Sequence, residues 1–281
     1  MSARGVEYRI FPEMEAGGFS RVDHRMEYIV RVNALLRPHM VVLDFGAGRG
    51  KWQHDPVPLR RWLGAFRGRC ARVIGADVDP AIVENTQVDE RILLEIDRPI
   101  PLPDGSVDII SAFSVFEHID NAPFYAAELA RILRPGGWIC GWTPNKWGYV
   151  GIGARLVPQR LHAFILRLLE PRREEEDSFP PLYHMNTRAR LRELFPPGQF
   201  ADHSYGFDGQ PFYHFERASM ARLWRLIFWA LPPPMHGFHM VFLRKAGGGN
   251  ADDDAPWLPA AAAAPATDCP AVDCNVTDQI P

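Results

Sequence analysis

Glycines and acidic residues in one short stretch are the first residues of this chain whose types and spacing could do chemistry. The run VVLDFGAGRG, residues 41–50, is apolar up to Asp44 and then places glycine at positions 46, 48 and 50. Glycine adopts backbone angles that are closed to other residues and lets a ligand lie against the main chain. A carboxylate two residues before the first glycine suits a cationic ligand group, whereas a pyrophosphate would gain nothing from it.

The spacing also separates this turn from two well-known phosphate-binding loops. The dinucleotide fingerprint G-x-G-x-x-G needs glycine at the sixth position counted from Gly46, where this chain has Lys51. A P-loop needs G-x-x-x-x-G-K-[ST], and the sequence does not contain that pattern. A nicotinamide-dependent oxidoreductase is therefore disfavoured, and the P-loop interpretation fails.

Further acidic residues follow the next two apolar runs. Asp77 closes RVIGAD and is placed to accept both hydrogen bonds of a ribose 2′,3′-diol. Asp97 follows the run 92–96 and could meet an adenine amino group, with Ile96 and Phe113 packing around the ring; the alternative is that it caps the turn before Pro99. Asp79, next to Pro80, is better explained as the cap of the next helix.

Alternating strands and helices must position these residues. The apolar, β-branched runs that predict strands are 41–45, 72–77, 92–96, 107–113 and 138–142, with two further runs near 198–207 and 238–244. A helix is expected at about 21–36, and another over APFYAAELARIL, with Asn121 as N-cap and RPGG at 134–137 as the stop. This alternation predicts a doubly wound, Rossmann-like α/β sheet of seven strands, mostly parallel with an antiparallel last strand.

Four motifs together resemble a known family. VLDFGAGRG, VIGADVDP, LPDGSVDIISAFSVFEHI and ELARILRPGGW occur in the order and approximate spacing of class I S-adenosylmethionine-dependent methyltransferases, particularly the small-molecule group often called type 11. The resemblance covers residues 38–145 and implies S-adenosylmethionine as the cofactor. The cofactor-binding residues that it implies are Asp44, Phe45, Gly46, Ala47, Gly48, Asp77, Val78, Ile96, Asp97 and Phe113. The departures are the longer stretch before the second strand and the unfamiliar second half.

Candidates on the acceptor side come from the loops after the fourth and fifth strands. His118, in FEHI, is the leading catalytic base, against the alternative of a structural histidine. Asn145, Tyr183 and His184 lie where acceptor pockets of this fold are usually built, against the alternative of loop packing. A sulfonium methyl group is already activated, so transfer chiefly needs an acceptor held in line. Oxygen is the expected accepting atom, with a non-catalytic cofactor-fold scaffold or sensor as the alternative function.

The composition of the chain limits the classes of partner that it is expected to bind. Residues 247–281 hold six Asp and no Lys or Arg, which leaves 31 basic and 28 acidic residues for the body of the chain. This near-neutral body gives no footprint for nucleic acid, and SAFSVFEH lacks the motifs of nucleic-acid amino-methylating enzymes. A small-molecule acceptor is expected, for example a saccharide or a lipid-linked intermediate. The four cysteines show no CxxC spacing, so no metal site is expected.

The chain is expected to form one methyltransferase domain, residues 1–246, followed by a disordered low-complexity tail, 247–281. Residues 146–195 would form a helical insertion on the acceptor side. Without a signal peptide or long apolar run, a cytoplasmic location is expected. A helical stripe in the second half predicts core packing, and membrane contact is the less favoured alternative; its members are Met220, Leu223, Trp224, Ile227, Phe228 and Leu231.

Overall fold

A computed structural model of the chain describes residues 5–149, 152, 182–211 and 217–247. The helices, in chain order, are α1 (Val6–Ile10), α2 (His24–Leu35), α3 (Pro58–Gly64), α4 (Ala122–Ile132), α5 (Arg188–Leu194) and α6 (Ala218–Ala230). The strands are β1 (Val41–Phe45), β2 (Arg72–Asp77), β3 (Glu90–Leu93), β4 (Val107–Phe113), β5 (Leu133–Pro144), β6 (Phe200–Asp202), β7 (Tyr205–Phe207) and β8 (Phe238–Lys245). Most of the predicted tail and of the predicted insertion lies outside the described residues.

The strands form one eight-stranded sheet in the order β3-β2-β1-β4-β5-β8-β6, and β7 pairs with a further part of β8. Strands β1 to β5 pair in parallel, and β8 pairs antiparallel with β5, β6 and β7. Among the described strands, β8 therefore runs against all the others. The mostly parallel Rossmann-like sheet with an antiparallel last strand is confirmed, and the run predicted near 198–207 divides into two short strands.

Apolar residues on the two faces of the sheet form two cores. On one face, Leu43 and Ile110 pack with α4 residues such as Leu129. On the other face, Val42 and Ile109 pack with residues of α2. Both faces of β4 are covered, so all seven of its residues are buried. This double burial explains why β4 reads as a continuous apolar run in the sequence.

Several boundaries differ from the sequence expectation. Helix α2 begins at residue 24 because the Asp23 carboxylate accepts hydrogen bonds from the backbone N–H groups of Arg25 and Met26. Asn121 occupies the N-cap position of α4, as predicted, and its carbonyl accepts the Tyr125 N–H at 3.1 Å, but its side chain makes no capping hydrogen bond. Helix α4 ends at residue 132, and the predicted stop RPGG lies inside β5.

Strand β3 ends earlier than predicted, at Leu93 instead of Ile96. Its last pairing partner is Asp77, where β2 itself ends, so no neighbour remains to extend the ladder. Asp97 therefore lies in a turn beyond the strand, with a φ of 56°. Helix Pro80–Glu84 is a 3₁₀ helix, and the predicted cap is confirmed because the Asp79 carboxylate accepts the Ala81 N–H.

Helix α6 differs most from its sequence pattern. Ala221 and Phe228 are its buried residues, and the helix packs against α1. The predicted stripe is only partly buried, because Leu223 and Ile227 are exposed. Trp229, which lies off the stripe, is 85% exposed. In the described ranges, no helix is long and apolar enough to cross a membrane.

Candidate active site

The glycine turn after β1 is shaped by close packing at two of its three glycines. Gly46 has a φ of 76°, and a Cβ there would lie 2.4 Å from Val115 Cγ2. Gly50 has a φ of 92°, and a Cβ there would lie 2.8 Å from Asn85 Oδ1. At Gly48 the nearest atom to such a Cβ is Asp77 Oδ2, 3.9 Å away. Of these three glycines, Gly48 is the one that leaves room for a Cβ; Gly46 is exposed and Gly48 half-buried, so a ligand can approach the turn at both.

Asn85 holds this turn in place. Its side chain is fully buried, and its amide donates to the carbonyl oxygens of Ala47 at 3.2 Å and Gly48 at 3.1 Å. The Gly46 N–H donates to the Ala76 carbonyl at 2.8 Å, so the turn is also fixed to the end of β2. Sequence reasoning missed Asn85, because an asparagine among polar loop residues carries no distinguishing signal.

Asp77 joins the glycine turn to the end of β2. Its Oδ2 accepts the Gly48 N–H at 2.7 Å, and its Oδ1 accepts the Asp79 N–H at 2.8 Å. Burial raises the pKa of the Asp77 carboxyl, and these backbone hydrogen bonds oppose the rise. Each oxygen keeps acceptor capacity beyond the single bond it accepts. A diol placed beside the turn can therefore bind both oxygens.

Asp44 is the second carboxylate at this edge. Its carboxylate is half-buried, and Lys51 is the cation whose charge acts on it. Burial raises the pKa of Asp44 to about 7; the charge of Asp77 adds to the rise, and Lys51 opposes it. A cationic group bound here would lower that pKa and stabilise the carboxylate.

The strand register places these acids and several aromatic rings on one face of the sheet. Asp44 pairs with Ser111 of β4 and with Gly75 of β2, so residues two positions further on, Phe113 and Asp77, project from the same face. Trp142, in β5, pairs with Phe113 of β4 and therefore lies on the same face of the sheet. The acids and these rings therefore border one space at the carboxyl ends of the strands.

The rings form a stack that sequence reasoning found only at Phe113. Trp142 stacks on Phe113 with centroids 4.7 Å apart, and on Phe238 and His24 with centroids 4.8 Å apart. Lys51 Nζ lies 4.5 Å from the Phe113 centroid, so a cation already sits against this surface. Burial lowers the pKa of His24 well below its usual value, which keeps the imidazole neutral. The four rings come from separate parts of the sequence and share no motif.

The loop after β4 is fixed by a buried carboxylate. Glu117 accepts hydrogen bonds from Ser114 Oγ at 2.6 Å and from Thr143 Oγ1 at 2.9 Å. Ser114 has a φ of 62°, an unusual value for a residue with a side chain. His118 is partly exposed, and its Nε2 lies 3.9 Å from Glu117 Oε1. The structure thus places His118 on a rigid loop beside an acidic neighbour.

The segment that follows β3, where the sequence predicts an adenine contact, is more exposed than the glycine turn. Ile96 is 73% exposed, and the Asp97 N–H donates to the Tyr125 hydroxyl at 3.3 Å. Phe113 packs in the aromatic stack described above. Contact of Ile96 and Asp97 with an adenine ring stays a prediction.

The acceptor-side candidates separate into structural and pocket residues. Asn145 is fully buried, and its amide donates to the carbonyl oxygens of Pro234 and His236 at 2.9 and 2.8 Å, so it is a packing residue. Tyr183 and His184 line a pocket of about 280 Å³. The complete lining among the described residues is Lys146, Tyr183, His184, Thr187 and Arg190.

The sheet has one reversed strand, β8, beside five parallel strands, and the acids lie at the carboxyl edge of those parallel strands. This arrangement is typical of an α/β domain that binds a nucleoside-containing cofactor. The profile of a family described as "Methyltransferase domain" matches residues 20–207. This match covers more than half of the chain, so the chain belongs to that family. Membership of the class I, type 11-like S-adenosylmethionine-dependent methyltransferases is confirmed.

Two curated relatives are named as methyltransferases, and the name of one includes the cofactor. The chain is 42% identical over 82 residues to a probable S-adenosylmethionine-dependent methyltransferase of Mycolicibacterium smegmatis. The aligned residues make up 27% of this chain and 30% of that protein. It is 32% identical over 105 residues to the malonyl-[acyl-carrier protein] O-methyltransferase of Serratia marcescens, 36% of this chain and 37% of that one. The chain thus spans about a third of the length of these relatives.

A solved structure shares the fold. The geranyl diphosphate C-methyltransferase of Streptomyces coelicolor A3(2) superposes with a TM-score of 0.50 at 13% identity, over 79% of this chain and 77% of that one. At this identity the likeness concerns the fold alone. The predicted enzyme class and cofactor, S-adenosylmethionine, are confirmed at the level of the family.

Proposed function

We propose that this protein transfers a methyl group from S-adenosylmethionine to an oxygen atom of a small-molecule acceptor. The observation that carries the proposal is the pair Asp44 and Asp77 on one sheet face beside the glycine turn, where Gly48 leaves room for a Cβ. The pair offers a carboxylate to a cationic group and another to a diol, which together are the two ends of this cofactor.

Different residues would bind the different parts of the cofactor. Asp44, with Phe45, Gly46, Ala47 and Gly48, would hold the methionyl end, because burial disfavours the charge of the Asp44 carboxylate and a bound cationic group would stabilise it. Asp77 and Val78 would hold the ribose, and Ile96 and Asp97 the adenine. The Phe113 ring would border the cofactor from the aromatic stack, where a positively charged group already lies against it.

When bound, the cofactor supplies a methyl group on a sulfonium, so the chain needs no covalent nucleophile. Its task is to hold the acceptor oxygen in line with the bond that breaks and to exclude water. The buried faces of Trp142 and Phe238 provide a dry wall beside the two acids. A hydroxyl acceptor must lose its proton, and His118 is the base that we propose for this step; a carboxylate acceptor would need no base.

Several observations support a small acceptor and an oxygen atom. The loop after β4 reads SVFEH, and it lacks the Pro-containing motifs that nucleic-acid methyltransferases carry at this place. The relative from Serratia marcescens is named as an O-methyltransferase. We propose further that residues 1–246 act as one domain, with 38–145 serving the cofactor and 146–195 the acceptor.

Calorimetry with S-adenosylmethionine and S-adenosylhomocysteine tests the first half of this proposal. Asp77→Asn should weaken both ligands at least tenfold, because the ribose loses a charged acceptor. The matched control is Asp104→Asn, which changes an exposed carboxylate paired with Arg131 at 2.7 Å and should leave binding unchanged. NAD should not compete.

Methyl transfer itself is tested with labelled cofactor and a small-metabolite extract. Label should move to a small molecule, and treatment of the product with base should distinguish an ester from an ether. Absence of cofactor binding would overturn the proposal. Binding without transfer to any fraction would favour the non-catalytic alternative, a scaffold or sensor.

A further inference from the structure

A cationic pocket lies beside the loops that follow β4 and β5. Its volume is about 280 Å³, and its side chains include Lys146, His184 and Arg190. Two hydroxyl groups, from Tyr183 and Thr187, complete the lining. Every one of these side chains can donate a hydrogen bond, and three of them carry or can gain positive charge.

Main-chain hydrogen bonds fix this pocket to the carboxyl edge of the sheet. The Tyr183 N–H donates to the Glu117 carbonyl at 3.1 Å, and the Lys146 N–H donates to the Asn186 carbonyl at 3.4 Å. The Asn186 amide in turn donates to the Pro144 carbonyl at 2.9 Å, at the end of β5. The pocket is therefore held against the same two loops that carry His118 and the end of the Trp142 strand.

In the part of the chain that the structure describes, the acids that pair with His184 and Arg190 are exposed and are not among the lining residues. Arg190 Nη1 lies 2.7 Å from Glu193 Oε1, on the next turn of α5. His184 Nδ1 lies 3.2 Å from Asp120 Oδ1, whose side chain is largely in solvent. Each of these acids takes up one nitrogen of its partner, so the remaining nitrogens of the Arg190 guanidinium and His184 Nε2 are left for a ligand. Exposed pairs of this kind contribute little and exchange readily for a better partner.

We infer that this pocket binds an anionic group of the methyl acceptor, a phosphate or a carboxylate. The inference rests on the proposed function, because it identifies the class of substrate for the same reaction. Arg190 supplies a planar set of donors that suits either group, and Lys146 supplies a point charge. The two hydroxyl groups donate to the remaining oxygens. An acceptor anchored here by its anionic end extends along the edge toward the two acids on the neighbouring strands.

Calorimetry on the full chain, saturated with S-adenosylhomocysteine, tests the pocket with inorganic phosphate and with pyrophosphate as probes. Arg190→Gln should weaken the tighter of the two at least tenfold, and Lys146→Gln should do the same. The matched control is Arg192→Gln, on the same helix, whose guanidinium pairs with Asp202 at 3.3 Å and which is not among the lining residues of the pocket. Arg190→Lys, which keeps the charge, should recover part of the affinity.

The outcomes separate the pocket from the proposed function. Equal losses of anion affinity in the Arg190 and Arg192 variants would overturn the inference that this pocket binds an anion. The absence of anion binding to the wild-type protein would do the same. Failure of S-adenosylhomocysteine to bind would instead overturn the proposed function. Each variant should bind S-adenosylhomocysteine as wild type does, which shows that it is folded.

The source of the anionic group is identified with labelled cofactor. An extract separated by anion exchange should give labelled product from the retained fraction and none from the neutral fraction. Phosphatase treatment of that fraction should abolish its retention if the group is a phosphate and leave it unchanged if the group is a carboxylate. Transfer confined to the neutral fraction would contradict the inference.

Discussion

The two ends of the carboxyl edge of the sheet are built on different principles. At the end that we propose for the cofactor, β1 and β2 present two acids, of which Asp77 is fixed by backbone hydrogen bonds, beside a tightly packed glycine turn. At the end that we propose for the acceptor, the segment after β5 presents His184, which is exposed, and Arg190, which is half-buried, each paired with an exposed acid. The cofactor end binds the same molecule in every turnover, so it can be rigid. The acceptor end is assembled from loops, which change more freely between related proteins.

The largest expected effect would show how rigid the cofactor end is. Gly46→Ala should lower the free energy of unfolding by about 3 kcal/mol, because its Cβ would overlap Val115 and the backbone φ is positive. Gly48→Ala should cost only about 1 kcal/mol, yet it should weaken S-adenosylmethionine binding, because its Cβ would enter the open space. Denaturant unfolding and calorimetry measure the two quantities.

A second substitution tests whether overlap with Val115 causes the loss of stability in Gly46→Ala. Val115→Ala in the Gly46→Ala background should recover part of the lost free energy of unfolding, since it removes the overlapping methyl groups. Equal losses of stability at Gly46 and Gly48 would contradict the distinction between the packed and the open glycine.

A smaller effect concerns the ionisation of Asp44. Its pKa in the fold, about 7, lies above the ordinary value of 3.8, so ionisation costs the ligand-free protein stability as pH rises from about 4 to about 7. Binding of a cationic cofactor stabilises the ionised form. Affinity for S-adenosylmethionine should therefore increase about tenfold between pH 5.5 and pH 8.

Asp44→Asn is the test of that assignment. It should bind the cofactor weakly at all pH values and should lose both the pH dependence of affinity and the decline in stability above about pH 4. The same pH dependence in the variant would place the titrating group elsewhere, and Asp77, whose pKa is also raised, would be the next candidate.

The smallest effect is expected in the second half of the chain. Trp229→Gln should change the free energy of unfolding by no more than about 0.5 kcal/mol, because the side chain is 85% exposed. Thermal or denaturant unfolding measures it. A loss above about 2 kcal/mol would mean that this side chain is packed, and that the second half is as tightly built as the first.

The strands could be predicted most securely where both faces are buried. The bounds of β1, β2 and β4 match the sequence prediction because continuous apolar runs between Gly, Pro and Asp leave few alternatives. Strand β3 is an edge strand whose end is set by its partner, so its own residues do not mark it. Helix α6 has a regular apolar period, yet the period alone does not tell which part of the helix meets a neighbour.

The sequence by itself determined the class of this protein. An apolar strand leading through Asp44 into a glycine turn, followed by Asp77 at the end of the next strand, reports local chemistry that one stretch of chain can display. Only the tertiary structure decided which glycine is open, that Asn85 fixes the turn, and that rings from four distant segments stack beside the acids. It also brought Lys146 and Arg190 to one pocket. These features depend on contacts between residues far apart in the chain, and no short pattern in a single sequence encodes them.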